Sequence, residues 1–333
     1  MKIASYIGLV VGLAVMTGLL AWQGIMEIAN LLISSGWALL WVPMVWIPSV
    51  LMNARCWQLL FAPGFGPTFR QAFYAQWMGR AVNTLLPVAS IGGEVVKART
   101  LILWGIDTAH ASASAVVDKT IQALTIILWG TAGTILLTYL ALDDELAMSI
   151  LVGGIVIGAG IAGFIIVQRA GMFGFIAKSA QKITKSDFFE NLTETADAVD
   201  RTVNNLYRLR SRITVATLWR LVALVSQTGE VWLAAYLLGY PIGIVEALLL
   251  KSLSSTLCDF AFVVPNSYGV QEGAFVILGG LIGLPPEVSL AISLAIRIRE
   301  VLIDVPGLVL WQHHEGRTFF RRRRSAARQD VGN

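Results

Sequence analysis

Cysteine, histidine and charge are all scarce in this 333-residue chain, and each scarcity closes off a class of function. The two cysteines, Cys56 and Cys258, lie in or beside apolar stretches; they form no disulfide framework or metal centre and read as core packing. His313 and His314 have no nearby carboxylate or cysteine, so no metal is expected. The sequence contains no phosphate-binding lysine loop, no Ser nucleophile elbow and no helical metal-ligand pair, and neither catalysis nor a cofactor is expected. Gly158, Gly160 and Gly163 spell G-x-G-x-x-G inside an apolar run, without the preceding strand a dinucleotide site needs, so they read as close helix packing. Only 14% of residues are charged. The formal surplus of +4 is gathered in a few blocks, which speaks for orientation in a membrane and against nucleic acid as a partner.

Apolar side chains make up 56% of the chain, in continuous runs near bilayer-spanning length. The short alternating strands of a membrane β-barrel are missing. The expected fold class is an all-α integral membrane protein. Six full crossings are predicted, at about 4–22, 36–55, 110–140, 146–167, 213–238 and 287–311. Residues 4–22 follow Lys2 and lack a small-x-small cleavage pattern, so they read as a retained first helix. Lys and Arg are absent between Gln23 and Ala54 and between Thr120 and Gln168, but crowd residues 168–212 and the tail after 312. The last two are therefore expected in the cytoplasm with both termini, and Asp143-Asp144-Glu145 on the other side.

One transmembrane domain is thus expected over 1–311. It comprises the extra helix 4–22, a first repeat at about 34–142, the crossing 146–167, a cytoplasmic connection 168–212 and a second repeat at about 213–311; a basic cytoplasmic tail, 312–333, follows. In the connection, Leu192, Ala196, Val199, Val203 and Leu206 form one apolar stripe, which predicts an interfacial or cytoplasmic helix.

Residues 56–109 and 239–286 lie outside the crossings, and their flanking charges require each to leave and return on one side. Both carry the same punctuation, 178 positions apart. Pro87 and Pro265 precede Glu94 and Glu272 by seven residues; Gly105 and Gly283 follow those carboxylates by eleven, Lys119 and Arg297 by twenty-five. They read as two re-entrant broken hairpins, one tipped by Asn83, Pro87, Gly92 and Gly93, the other by Pro265, Asn266 and Gly269. Residues 36–55 and their counterparts 214–233 run in opposite directions, so the repeat is expected to be inverted, with the hairpins meeting around a polar cavity.

Arg297, Glu300 and Asp304 share one face of the last crossing. Counted from Glu287, Arg297 lies roughly 15 Å deep, where an unpaired charge costs at least about 2.5–3.5 kcal/mol. Lys119, beside Asp118, is placed at a similar depth. Glu94 and Glu272 open half-helices, where a carboxylate already suits the helix dipole. Each also has candidate partners: Lys119 or Arg99 for Glu94, Arg297 or Arg299 for Glu272. The candidate transport residues are Glu94, Arg99, Lys119, Glu272, Arg297, Arg299, Glu300 and Asp304, with Lys251 and Asp259 as weaker members. Gly92-Gly93 and Gly269 either offer amides to a phosphate or simply turn the chain.

Asn83-x-x-x-Pro87 leading to Gly92-Gly93-Glu94 and Arg99, then Asp118-Lys119, is one half of a recognisable pattern. The other half is Pro265-Asn266-Ser267-Tyr268-Gly269-Val270-Gln271-Glu272-Gly273, then Arg297-x-Arg299-Glu300 and Pro306-Gly307. Together they resemble the signature of the lysylphosphatidylglycerol-synthase transmembrane-region family, over about residues 30–311. The Tyr-Gly-Val-Gln-Glu-Gly segment is most similar to a stand-alone subgroup associated with hopanoid biosynthesis. Glu94 stands where members often have Asp, and Lys119 where many have Arg, changes that keep charge but alter reach.

The resemblance implies a multi-pass protein of the bacterial inner membrane, with membrane lipids as partners, that moves an aminoacyl phospholipid, a hopanoid or another lipid-linked headgroup between leaflets. No aminoacyl-transfer domain follows residue 311, so synthesis of the lysyl lipid is not expected. Two rival readings stay open: a secondary transporter for a small solute, and a non-transporting scaffold for lipid-biosynthesis enzymes. Gly8-x-x-x-Gly12 and Gly279-x-x-x-Gly283 allow close helix contacts within or between chains, which leaves the oligomeric state open.

Overall fold

The computed structural model describes residues 2–86, 92–140, 144–171, 188–261 and 264–329, and among them every regular element is helical. Pro87 and Asp143 lie outside the described residues. In chain order the helices are α1 (Lys2–Trp22), α2 (Ile25–Ser35), α3 (Trp41–Leu59), α4 (Phe69–Leu85), α5 (Gly92–Leu103), α6 (Thr108–Tyr139) and α7 (Asp144–Arg169). They continue as α8 (Phe188–Arg208), α9 (Arg210–Ser226), α10 (Thr228–Leu237), α11 (Ile244–Phe260), α12 (Val270–Leu281) and α13 (Pro286–Gln329). Short 3-10 turns cover Gly36–Leu40 and Pro265–Ser267.

The surface is inverted relative to a water-soluble protein. Ile135, Ile155, Ile166 and Ile277 are each more than 60% exposed, whereas Glu230, Glu272 and Asp304 are completely buried. Burying carboxylates while exposing isoleucine is favourable only where the surrounding solvent is hydrocarbon. Two stretches, Ile25–Leu59 and Thr108–Tyr139, are by themselves long and apolar enough to cross a bilayer.

Two of the other predicted crossings take a different form, and side-chain charge accounts for much of it. The stretch expected at 213–238 divides at Gln227 into α9 and α10 and carries Arg220 and Glu230. The stretch expected at 287–311 is the first part of α13, which carries Arg297, Arg299, Glu300 and Asp304. It passes the expected boundary at 311 unbroken and contains Pro306. In the turn before that proline, the Ile303 carbonyl accepts a hydrogen bond from Trp77 Nε1 (2.8 Å).

Local signals set the helix ends near the site. Thr68 and Gln71 form a capping box that starts α4. Asp107 caps α6 by accepting from the His110 amide (3.1 Å). Helices α5 and α12 end in one and the same way: Ile106 donates to Leu101 and Leu284 to Gly279, with Gly105 and Gly283 at φ 90° and 81° between them. That left-handed turn is where glycine escapes the Cβ penalty.

Helices α4 and α5 pack antiparallel, Gly79 and Asn83 on one facing Gly93 on the other. The Asn83 side chain accepts from the Gly93 amide (2.7 Å). A Cβ at Gly79 would lie 2.6 Å from the Gly93 carbonyl, so the close approach requires glycine there. The predicted stripe of the connection is buried from Val199 through Val203 to Leu206, in one apolar cluster with Ala111, Val117 and Ile121 of α6.

Candidate functional site

The break between α11 and α12 leaves backbone carbonyls without helical partners, and Arg297 of α13 takes them up. Asn266 and Ser267 both sit at φ 49°, in the left-handed region. Arg297 Nη1 donates to the Asn266 carbonyl (2.8 Å) and Nη2 to that of Ser267 (3.3 Å). Its Nε donates to Glu272 Oε1 (2.9 Å), Nη1 also reaches Glu300 Oε2 (3.1 Å), and the guanidinium lies over the Tyr268 ring, 4.8 Å from its centroid. Glu272 in turn accepts from the Gly269 amide (2.7 Å), and Asn266 Nδ2 donates to Glu300 (2.9 Å). A guanidinium has five donors in a fixed fork, which suits binding two carbonyls and two carboxylates at once.

The network extends from there. Arg299 Nε lies 3.0 Å from Glu230 Oε2, an ion pair without hydrogen-bond alignment, and Lys251 pairs with the other oxygen of Glu230. The Trp46 ring carries both Arg80 (3.9 Å to its centroid) and Arg299 (4.5 Å), and Arg80 pairs with Asp304 at 3.1 Å. Arg80, Lys251, Arg297 and Arg299 thus face Glu230, Glu272, Glu300 and Asp304, four charges against four. This balance is what permits so many ions to be buried together.

A second cluster lies between α5, α6 and α9. Asp118 binds both Lys97 and Arg220, Lys97 pairs with Glu94 (2.6 Å), and the Lys97 ammonium stands 4.8 Å over the Trp57 ring. It too is neutral, with two cations against two carboxylates.

The candidate residues therefore divide. Glu272, Arg297, Arg299, Glu300 and Asp304 come together in the first network. Glu94 joins the second through Lys97, and pairs with neither Lys119 nor Arg99 as expected. Lys119, half-buried, donates to Gln122 (3.2 Å). Arg99 leaves the site altogether: it is exposed and pairs with Glu315 near the far end of α13. Asp259 is exposed, its carboxylate makes no ion pair or hydrogen bond among the described residues, and the cations acting on it through space are Lys119, Lys251 and Arg220. At the tips, Asn83 and Gly93 belong to the α4–α5 contact, and Gly92 begins α5. Pro265, Asn266 and Gly269 belong to the segment Arg297 holds.

Sequence reasoning passed over Glu230, Arg220, Arg80, Lys97 and Trp46. The signal was available for two of them, since Arg220 and Glu230 are ionisable residues inside a predicted crossing. It also missed the role of α1. Gly12 seats against the broken segment, and a Cβ there would meet the Tyr268 carbonyl at 2.6 Å; Gly269 approaches the Gly12 carbonyl in return.

Among the described residues no cluster of His, Cys, Asp and Glu is arranged to hold a metal ion. No curated protein and no solved structure is significantly similar to the chain. Residues 9–306 match the family described as the lysylphosphatidylglycerol synthase TM region, a match that takes in both ion networks and both tips. On that match the chain belongs to the lysylphosphatidylglycerol synthase TM region family.

Proposed function

We propose that the chain translocates the headgroup of a lipid or lipid-linked molecule between leaflets while its tails stay in hydrocarbon. The observation that carries this reading is the contrast between the buried charges and one pair left accessible. The network around Arg297 is saturated with internal partners, whereas Lys119 and Asp259 face one another's field without touching, at the meeting of α6 and α11. Saturated ions hold a fold; a half-exposed pair of opposite sign is free to bind a polar headgroup. The family's link to lysyl lipid supports a lipid substrate of this kind.

The framework we infer is an inverted repeat of two broken hairpins. Several relations support it: α5 and α12 start 178 residues apart, as do α6 and α13, with matching C-caps. Packing is reciprocal as well, α4 lying on α13 as α11 lies on α6. Such reciprocity is what a two-fold relation between repeats requires. In this arrangement both termini are cytoplasmic, the membrane is the bacterial inner membrane, and the work is transport without catalysis.

The reading is tested with purified full-length protein in vesicles carrying a labelled phospholipid in one leaflet. Protein-containing vesicles should move label to the other leaflet faster than protein-free ones, and the Lys119→Gln, Asp259→Asn double variant should be slow. Equal rates with and without protein would remove the assignment.

A further inference from the structure

Away from both ion networks, three arginines converge where α7, α8 and α9 meet. Arg169 is the last residue of α7, Arg208 the last of α8 and Arg210 the first of α9. With Asn204 and Tyr207 they line a cleft of about 390 Å³. The cations of the two networks are each matched by carboxylates. By contrast, no ion pair joins Arg169, Arg208 or Arg210 to a carboxylate among the described residues.

The cleft is also braced from behind. Arg169 lies over the Tyr207 ring at 5.0 Å. The Tyr207 hydroxyl donates to Gln168 (2.8 Å), and Gln168 is buried against Thr120 of α6. Asn204 Nδ2 donates to the Arg169 carbonyl (3.2 Å), tying the end of α7 to α8. The positive charge is therefore held on a fixed base.

We infer that this cleft binds the phosphate of an anionic membrane phospholipid. Guanidinium forks match phosphate oxygens in pairs, and three of them with no carboxylate partner among the described residues form an anion site. The apolar surface beside it selects a lipid over a free ion. On α7, Ala162 and Ile166 are exposed seven and three residues before Arg169, on the same helical face, and the run ends at Arg169. An acyl chain laid along those residues would bring its phosphate to the arginines. The site requires no transport step.

Native mass spectrometry tests it on the full chain released from vesicles of phosphatidylglycerol and phosphatidylcholine. Wild type should retain phosphatidylglycerol, and the Arg169→Gln, Arg208→Gln double variant should retain at least about tenfold less, from losing charge-assisted bonds. A double variant of equal charge loss at exposed arginines elsewhere, Arg70→Gln with Arg317→Gln, should match wild type. Arg169→Lys, which keeps the charge but not the fork, should fall between and guards against misfolding of the double variant. Equal retention in all variants, or equal loss in both doubles, overturns the site. If inorganic phosphate displaces the lipid and stays bound in its place, the ligand is a soluble anion and the lipid assignment fails.

Discussion

Gln227 donates from Nε2 to the hydroxyl of Ser49 at 2.7 Å, across 178 positions of sequence. That spacing also separates the start of α5 from α12 and of α6 from α13. When two repeats are related by a two-fold axis, only side chains at the axis touch their own counterparts, so this bond marks the axis of the proposed arrangement. Ser49→Ala and Gln227→Leu should each lower stability by about 1 kcal/mol, and the double variant by little more than either alone. A double-mutant cycle on unfolding in detergent reads this directly; fully additive losses would mean the two residues do not act as a pair.

Arg297 should be irreplaceable by lysine where the broken backbone is concerned. Arg297→Ala leaves Glu272 and Glu300 without their shared cation, at a cost of about 3–5 kcal/mol. Arg297→Lys restores the charge but lacks the fork that reaches the Asn266 and Ser267 carbonyls. Hydrogen exchange over residues 265–272 should therefore quicken in both variants, with the lysine variant the more stable overall. Wild-type protection in Arg297→Lys would show that the carbonyl bonds do not hold the segment.

Glu230 is the shared anion of Lys251 and Arg299. Glu230→Gln should cost about 3–5 kcal/mol by stranding two buried cations, and adding Lys251→Met should recover part of that loss. Unfolding midpoints of the single and double variants check it; a double variant no more stable than Glu230→Gln would contradict the pairing.

Helix α1 should matter through one contact. A side chain at Gly12 would meet the Tyr268 carbonyl at 2.6 Å and Val264 at 2.9 Å, while Gly18 on the same helix has nothing within 4 Å. Gly12→Val should loosen the broken segment and slow lipid movement with helix content intact, and Gly18→Ala should do neither. Circular dichroism alongside the vesicle assay separates the two; matching behaviour of both variants would remove α1 from the site.

Much of the second tip was legible in the sequence. Pro265 and Gly269 announced the break, and the i, i+3, i+7 spacing of Arg297, Glu300 and Asp304 put them on one buried face. The same spacing misled at Glu94. Around Glu94, Lys97 and Asp118 compete for the contact, and one residue of helix rotation turns Lys119 away from its neighbour Asp118. The equivalent positions 178 residues on are Phe275 and Ile296, which offer Glu272 and Arg297 no rivals. Partner choice for Arg80, Arg220 and Glu230 depends on which helices become neighbours, and periodicity within one helix carries no such information.

The most direct measurement is the rate of labelled-phospholipid movement in vesicles holding Glu272→Gln or Arg297→Ala protein, each first verified as helical and monodisperse. With this pair holding the broken segment that follows Asp259 in the chain, both variants should fall close to the protein-free background. Wild-type rates in both would contradict the account.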